Sequence, residues 1–274
     1  MAKLNSGYPR YLRPGFTPFD PVALAKRTEE IVCRGDRRKY TKFYCPGVYG
    51  GIATGYTCGC CLRCIFCWVH WSRDFPEKHG HFKSPEQAFY ELRRTARKAR
   101  VDQLRISGAE PTLGKEHLLG LLEKVENSEF RLFILETNGI LLGADSDYAR
   151  QIARFKKVHT RVAIKAGTPE AFARKTGAKP ESFELPFRGI VNLLEAGASF
   201  HVAAMTADAV VHSRTLASDD AGFTTKEERK ALIDRLASIH PALVRNLEEE
   251  VVSPYPNALE RLRYAGVRLQ WSDQ

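Results

Sequence analysis

Two hydrophobic rhythms take turns along the chain. Short apolar and β-branched runs at Gln103–Ser107, Arg131–Glu136, Val158–Lys165, Phe200–Met205, Glu248–Val252 and Val267–Trp271 predict strands. Between them, segments near 115–126, 145–156, 168–176, 187–196, 225–239 and 256–264 place apolar residues three and four apart and predict helices. Ser84-Pro85-Glu86-Gln87 reads as a capping box with Pro at the first helical position, and Ala88, Phe89, Leu92 and Ala96 then share one face. Asp20-Pro21 opens an earlier helix that runs to about Cys33 and ends at Gly35. Gly197 and Gly266 stand where helices would stop. Residues 40–57, aromatic, β-branched and Gly-rich, predict a short first strand, and residues 1–20 an irregular wrap.

Strands alternating with helices imply βαβ units and a parallel sheet, in a barrel or a doubly wound arrangement. No boundary signal divides the body. The expected organisation is an extension over 1–47 carrying one helix, then one α/β domain over 48–274.

Composition narrows the setting. A chain of 274 residues, 43% hydrophobic and 27% charged, can bury a full core unaided. No apolar run approaches the ~18 residues of a membrane span, and the N-terminus lacks the apolar core of a secretion signal. The net charge of +10 comes from 42 basic against 32 acidic residues. Those bases are scattered through 34–39, 93–100 and 156–157, which favours a basic surface over a nucleic-acid stripe. The seven cysteines cluster instead of spacing out as bridges, so metal ligation in a reducing cytoplasm is expected.

Five of those cysteines fall in Cys58-Gly59-Cys60-Cys61-Leu62-Arg63-Cys64-Ile65-Phe66-Cys67-Trp68. Cys60, Cys64 and Cys67 follow a Cys-x3-Cys-x2-Cys spacing with Phe66 before the last thiol. Three thiolates on one loop can ligate three corners of a [4Fe–4S] cube and leave the fourth iron open. Two other readings stand beside it. Cys58, Cys61, Cys64 and Cys67 approximate a ferredoxin run, one residue short and with Trp68 for proline, and paired Cys-x2-Cys ligands suit structural zinc.

The spacing, aromatic included, resembles the radical S-adenosylmethionine (SAM) superfamily, and most closely its pyruvate formate-lyase-activating group. The resemblance implies an open (β/α)6 partial TIM barrel, with SAM chelated at the open iron of a [4Fe–4S] cluster held by Cys60, Cys64 and Cys67. It also implies reductive cleavage to a 5′-deoxyadenosyl radical that abstracts hydrogen, with electrons from a protein such as a ferredoxin or flavodoxin. Gly108-Ala109-Glu110-Pro111 resembles the family's Gly-Gly-Glu-Pro segment, so Gly108 and Glu110 would meet the SAM amino group. Phe66 would flank the cofactor. Thr137-Asn138-Gly139 recurs in the activating group, which gives Asn138 a ribose or carboxylate to bind, although Asn-Gly is also ordinary turn chemistry. Lys165 matches a family lysine near SAM, but Ala163 stands where that group has Asp.

Around the cluster loop, His70, His79, His81 and the pair Arg73-Asp74 resemble a substrate-facing segment, with Trp68 and Trp71 shielding the cluster as the alternative. His201 is read as packed or solvated. Cys33, Cys45 and Cys58 recur at gaps similar to those of the tRNA wybutosine-synthesising radical SAM enzyme, which allows a second [4Fe–4S] cluster; otherwise Cys33 and Cys45 are small buried apolar residues. The expected substrate is a protein or peptide. The alternatives are a tRNA base or nucleotide, and a non-catalytic iron–sulfur or zinc protein.

Overall fold

The computed structural model describes residues 7–207, 224–253 and 255–267. Helix α1 (Pro21–Val32) begins where Asp20 turns its carboxylate onto the amides of Val22 and Ala23, at 2.8 and 3.2 Å. Strands β1 (Cys33–Arg34), β2 (Arg37–Tyr44), β3 (Ala53–Thr57) and β4 (His81–Lys83) follow, and then α2 (Pro85–Ala99). The alternation proper runs β5 (Gln103–Gly108), α3 (Lys115–Glu126), β6 (Leu132–Thr137), α4 (Ile140–Ala144), α5 (Ser146–Ala153), β7 (Val158–Ile164), α6 (Pro169–Thr176), α7 (Glu184–Glu195) and β8 (Phe200–Ala207). Helices α8 (Lys226–Ile239) and α9 (Pro241–Arg245), strand β9 (Glu248–Val251) and helix α10 (Pro256–Tyr264) complete the described chain.

The strands form one sheet in the order β1-β2-β3-β5-β6-β7-β8-β9, with β4 on β2. From β3 to β9 every neighbouring pair is parallel. Those six strands and the helices between them are the open partial barrel expected from the sequence. Where one short strand was expected across 40–57, there are two: β2 runs antiparallel to β3 and carries β1 and β4. Arg37, Arg38, Lys39 and Lys42 hide the alternation of β2, yet Arg38 and Lys39 are buried. The expected strand Val267–Trp271 lies outside the described residues from 268 onward.

The helices pack on the sheet through Leu92, Leu121, Leu122, Ile152, Ile190 and Leu193, against Phe133 and Leu135, all buried. Each such side chain stabilises the fold by roughly 1.5–3 kcal/mol. Helices α4 and α7 meet backbone to backbone. A Cβ on Gly143 would stand 1.8 Å from the Leu185 carbonyl oxygen, so only glycine admits the contact. Among the described residues, no helix is long and apolar enough to cross a membrane.

Candidate active site

The chain leaves the C-terminal end of β3 into the cysteine loop, the end of a parallel sheet at which α/β proteins bind ligands. The loop has little regular structure. It is held by backbone bonds to other segments: Arg63 and Ile65 donate to the carbonyls of Thr176 and Lys175, and Glu110 donates to Gly59. Cys60, Cys64, Phe66 and Cys67 face a cavity of ≈ 960 Å³, open mouth included. Gly108, Glu110, Asn138 and Lys165, from the ends of three different strands, line the same cavity. All eight residues expected at a cluster and SAM site are therefore brought together.

The geometry assigns each of them a local task. Gly108 has φ +96°, and a Cβ there would meet the Thr57 amide nitrogen at 3.1 Å, so glycine lets β3 and β5 close on one another. The buried Glu110 carboxylate gathers the neighbouring turns. Its Oε1 accepts from the Thr112 amide, the Thr112 hydroxyl and the Thr137 hydroxyl at 3.1, 2.6 and 2.7 Å, and its Oε2 from the Asn138 amide at 2.9 Å. The Asn138 side chain turns to the cysteines, with Nδ2 3.3 Å from Cys61 Sγ and 3.7 Å from Cys60 Sγ. Lys165 Nζ stands 3.9 Å from Glu250 Oε2 across the cavity.

The thiols differ in their readiness to ionise. Burial pushes Cys64 up to about 12, against the pull of the Lys165 ammonium. Cys60 is lowered by a hydrogen bond from Cys61, which outweighs its burial, and Cys61 is raised in consequence. Among the described residues, no three Cys, His, Asp or Glu side chains converge on one point as the ligands of a lone metal ion would. Soft thiolates spread over a cavity wall fit a multi-iron cluster.

The second set of cysteines is not brought together. Tyr40 pairs with Thr57 and Tyr44 with Thr54, so Cys45 and Cys58 flank opposite ends of β3, roughly 17 Å apart at the usual rise per residue. Cys58 packs against Gly80 and Cys33 against Gly114. Burial pushes Cys58 up to about 11 and raises Cys33 as well. Of the pair Arg73-Asp74, Arg73 lines the cavity and Asp74 does not. They are 1% and 0% exposed, and Asp74 is paired with both Arg73 and Arg261 of α10, so the pair locks the loop from within. His70 and His79 contact each other edge to face at 4.8 Å, and His81 lies in β4.

Several residues at the cavity escaped the sequence reading. Ser107, Glu136, Arg161, Met205 and Glu250 form the wall opposite the cysteines. Arg105 pairs with Glu136 at 2.9 Å, and Arg161 bridges Glu248 and Glu250, each at 2.8 Å. The Arg161 hydrogen bond holds Glu248 at about 2 despite partial burial. Burial would raise Glu250, but Lys165 and Arg161 together keep it low. Alternation along the strands was the signal available for Glu136 and Glu250: charged residues on the inner face of a barrel read as lining, not core. His201 belongs to this wall's outer chain, bonded to His159 at 2.7 Å and Glu248 at 2.9 Å.

No curated protein sequence matches the chain. Among solved structures it is similar to anSMEcpe with bound AdoMet and Kp18Cys peptide, at 17% identity over 71% of this chain and 49% of that one, TM-score 0.50. It is also similar to TYW1 with a lysine-pyruvate adduct bound (15% identity, 74% and 65% covered, TM-score 0.48) and to SuiB of Streptococcus suis (14%, 76% and 49%, TM-score 0.44). The chain thus spans about half to two thirds of the length of these structures. A family model matches residues 55–207, more than half of the chain and the whole of the cavity's cysteine wall. The chain belongs to the Radical SAM superfamily.

Proposed function

We propose that the protein cleaves SAM reductively and uses the 5′-deoxyadenosyl radical to abstract a hydrogen atom from a peptide or protein substrate. Radical SAM proteins bind SAM and a [4Fe–4S] cluster and need a reductant; Cys60, Cys64 and Cys67 are the residues that would hold the cluster here. When bound, the cluster supplies the electron that splits the sulfonium. The chain's own side chains would do the rest. Glu110 Oε2 accepts one bond, from the Asn138 amide, and has a lone pair left for an ammonium. Lys165 offers a cation for a carboxylate, and Phe66, 6% exposed, gives the cavity an apolar side that limits water. A ferredoxin or flavodoxin is the proposed electron donor.

One observation carries the reading: three thiols and five expected cofactor contacts share a single cavity whose far wall is polar and whose mouth is open. The open mouth suits a chain-like substrate, and the similar anSMEcpe structure holds a peptide. A second reading, an RNA base, is favoured by the rings grouped around Trp68 of the cavity wall. Tyr44 stacks on Tyr56 at 4.7 Å with Lys42 above it, and Trp68 and Tyr255, both exposed, lie 6.1 Å apart. Such rings serve as stacking platforms for unpaired bases.

Anaerobic reconstitution with iron and sulfide, reduction, and incubation with SAM should release 5′-deoxyadenosine. Absence of release from cluster-loaded protein would sink the enzymatic reading. Stimulation of release by peptide pools and not by tRNA supports the first substrate class; the converse supports the second.

A further inference from the structure

We infer that Arg38, Arg63, Arg73 and Arg261 form a cationic collar that positions the cysteine loop and makes its cluster easier to reduce. This goes beyond the proposed substrate and holds whichever substrate is used. The four come from separate parts of the chain: β2, the loop itself twice, and α10. Each donates to the backbone carbonyl of a different cysteine: Arg38 to Cys58 at 2.6 Å, Arg63 to Cys60 at 2.8 Å, Arg73 to Cys64 at 2.6 Å and Arg261 to Cys67 at 2.5 Å. All four are at most 1% exposed.

Those carbonyls satisfy donors without cancelling charge. Among the described residues, Asp74 is the one carboxylate hydrogen-bonded to the collar, shared by Arg73 and Arg261. Glu110 is occupied with hydroxyl and amide donors, and Arg38 reaches only its backbone oxygen. Buried cations in such surplus are costly unless an anion joins them. The hydrogen-bond inventory agrees: Arg38 Nη1, Arg63 Nη2 and Arg261 Nε are buried with no acceptor. A cluster bound by three thiolates has net negative charge, and one-electron reduction adds to it. Arg63, Arg73 and Arg261 cap the three cysteines that would carry that charge, and Arg73 also lines the cavity, so the collar favours the reduced cluster over the oxidised one. Fork-shaped guanidinium groups also fix the loop in a way an ammonium cannot.

The test measures the midpoint potential of the reconstituted cluster by EPR-monitored titration, with iron content and circular dichroism alongside. Arg63→Gln removes one charge and leaves no carboxylate stranded. It should give about tenfold less reduced cluster at a fixed potential, which is about 59 mV for one electron. Arg63→Lys keeps the charge and should stay within about twofold of the parent. Asp74→Asn removes the offsetting anion and should shift the cluster the other way, toward easier reduction. An unchanged potential in iron-loaded Arg63→Gln would reduce the collar to a loop clamp and overturn the inference. If both Arg63 variants lose iron or fold, Asp74→Asn decides: easier reduction supports the collar, and an unchanged or lower potential overturns it.

Discussion

The helical layer and the cysteine loop are both buried, and they are held by opposite means. In the layer, Leu92, Leu121, Leu122, Ile152 and Phe133 remove apolar area from water, and no single contact is directional. In the loop, cysteines are capped by guanidinium groups through oriented bonds, one of them from a residue 194 positions away. Apolar burial is distributed and tolerant of exchange. The charged clamps are specific and intolerant, because removing one partner strands the other without water. A protein that must assemble a reactive centre on irregular backbone needs the second kind, mounted on the first.

The largest effect that could break this division comes from the Cys60→Ala, Cys64→Ala, Cys67→Ala triple variant. Iron binding and 5′-deoxyadenosine release should fall to background while the apo fold persists, as read by iron assay and thermal melting. A collapse of the sheet would mean that the loop, and not the layer, carries the stability. The reciprocal change is Phe133→Ala. Phe133 is fully buried, and its loss should cost about 3–5 kcal/mol in urea unfolding. Iron bound per folded molecule should not change.

A smaller effect lies between the regions. His117 of α3 links to β2: its Nδ1 bonds the Asp36 carbonyl at 2.7 Å and its Nε2 the Tyr40 hydroxyl at 2.8 Å. Burial lowers its pKa to about 4. The unfolded chain, with an ordinary histidine near 6.5, therefore takes up the proton first. Stability from this group is complete above about pH 6.5 and is lost as pH falls toward 4, by about 3 kcal/mol in all. His117→Gln should flatten that acid limb of the stability curve, measured by urea unfolding from pH 7 to pH 4.

How much could be read from the chain follows the same division. Helices such as α3 and α10 fell within a residue of their expected limits, because amphipathic spacing is a local signal. The cysteine spacing, Gly108 and Glu110 were legible since each is written in a few consecutive residues. Strand β2 was not, because its basic residues look solvated, and Arg38 is buried only because distant loops fold over it. Arg261 carried no local signal at all: it sits in an ordinary helix, and its four acceptors are some 190 residues away in sequence. Cys33, Cys45 and Cys58 show the opposite error, a spacing that suggested a site which the register of β2 on β3 pulls apart.

The smallest change sharpens the contrast most cleanly. Ser84 closes a capping box at the start of α2, accepting from the Gln87 amide at 3.3 Å while its own amide donates to Gln87 Oε1 at 3.1 Å. Ser84→Ala removes one acceptor at a helix end and should cost about 1 kcal/mol. Helix α2 packs on the sheet, and none of its residues lines the cavity. The loss should therefore appear in the unfolding midpoint and leave the cluster potential where it was. A shifted potential in this variant would show that strain in the layer reaches the loop, so that the two means of holding the chain together are mechanically coupled.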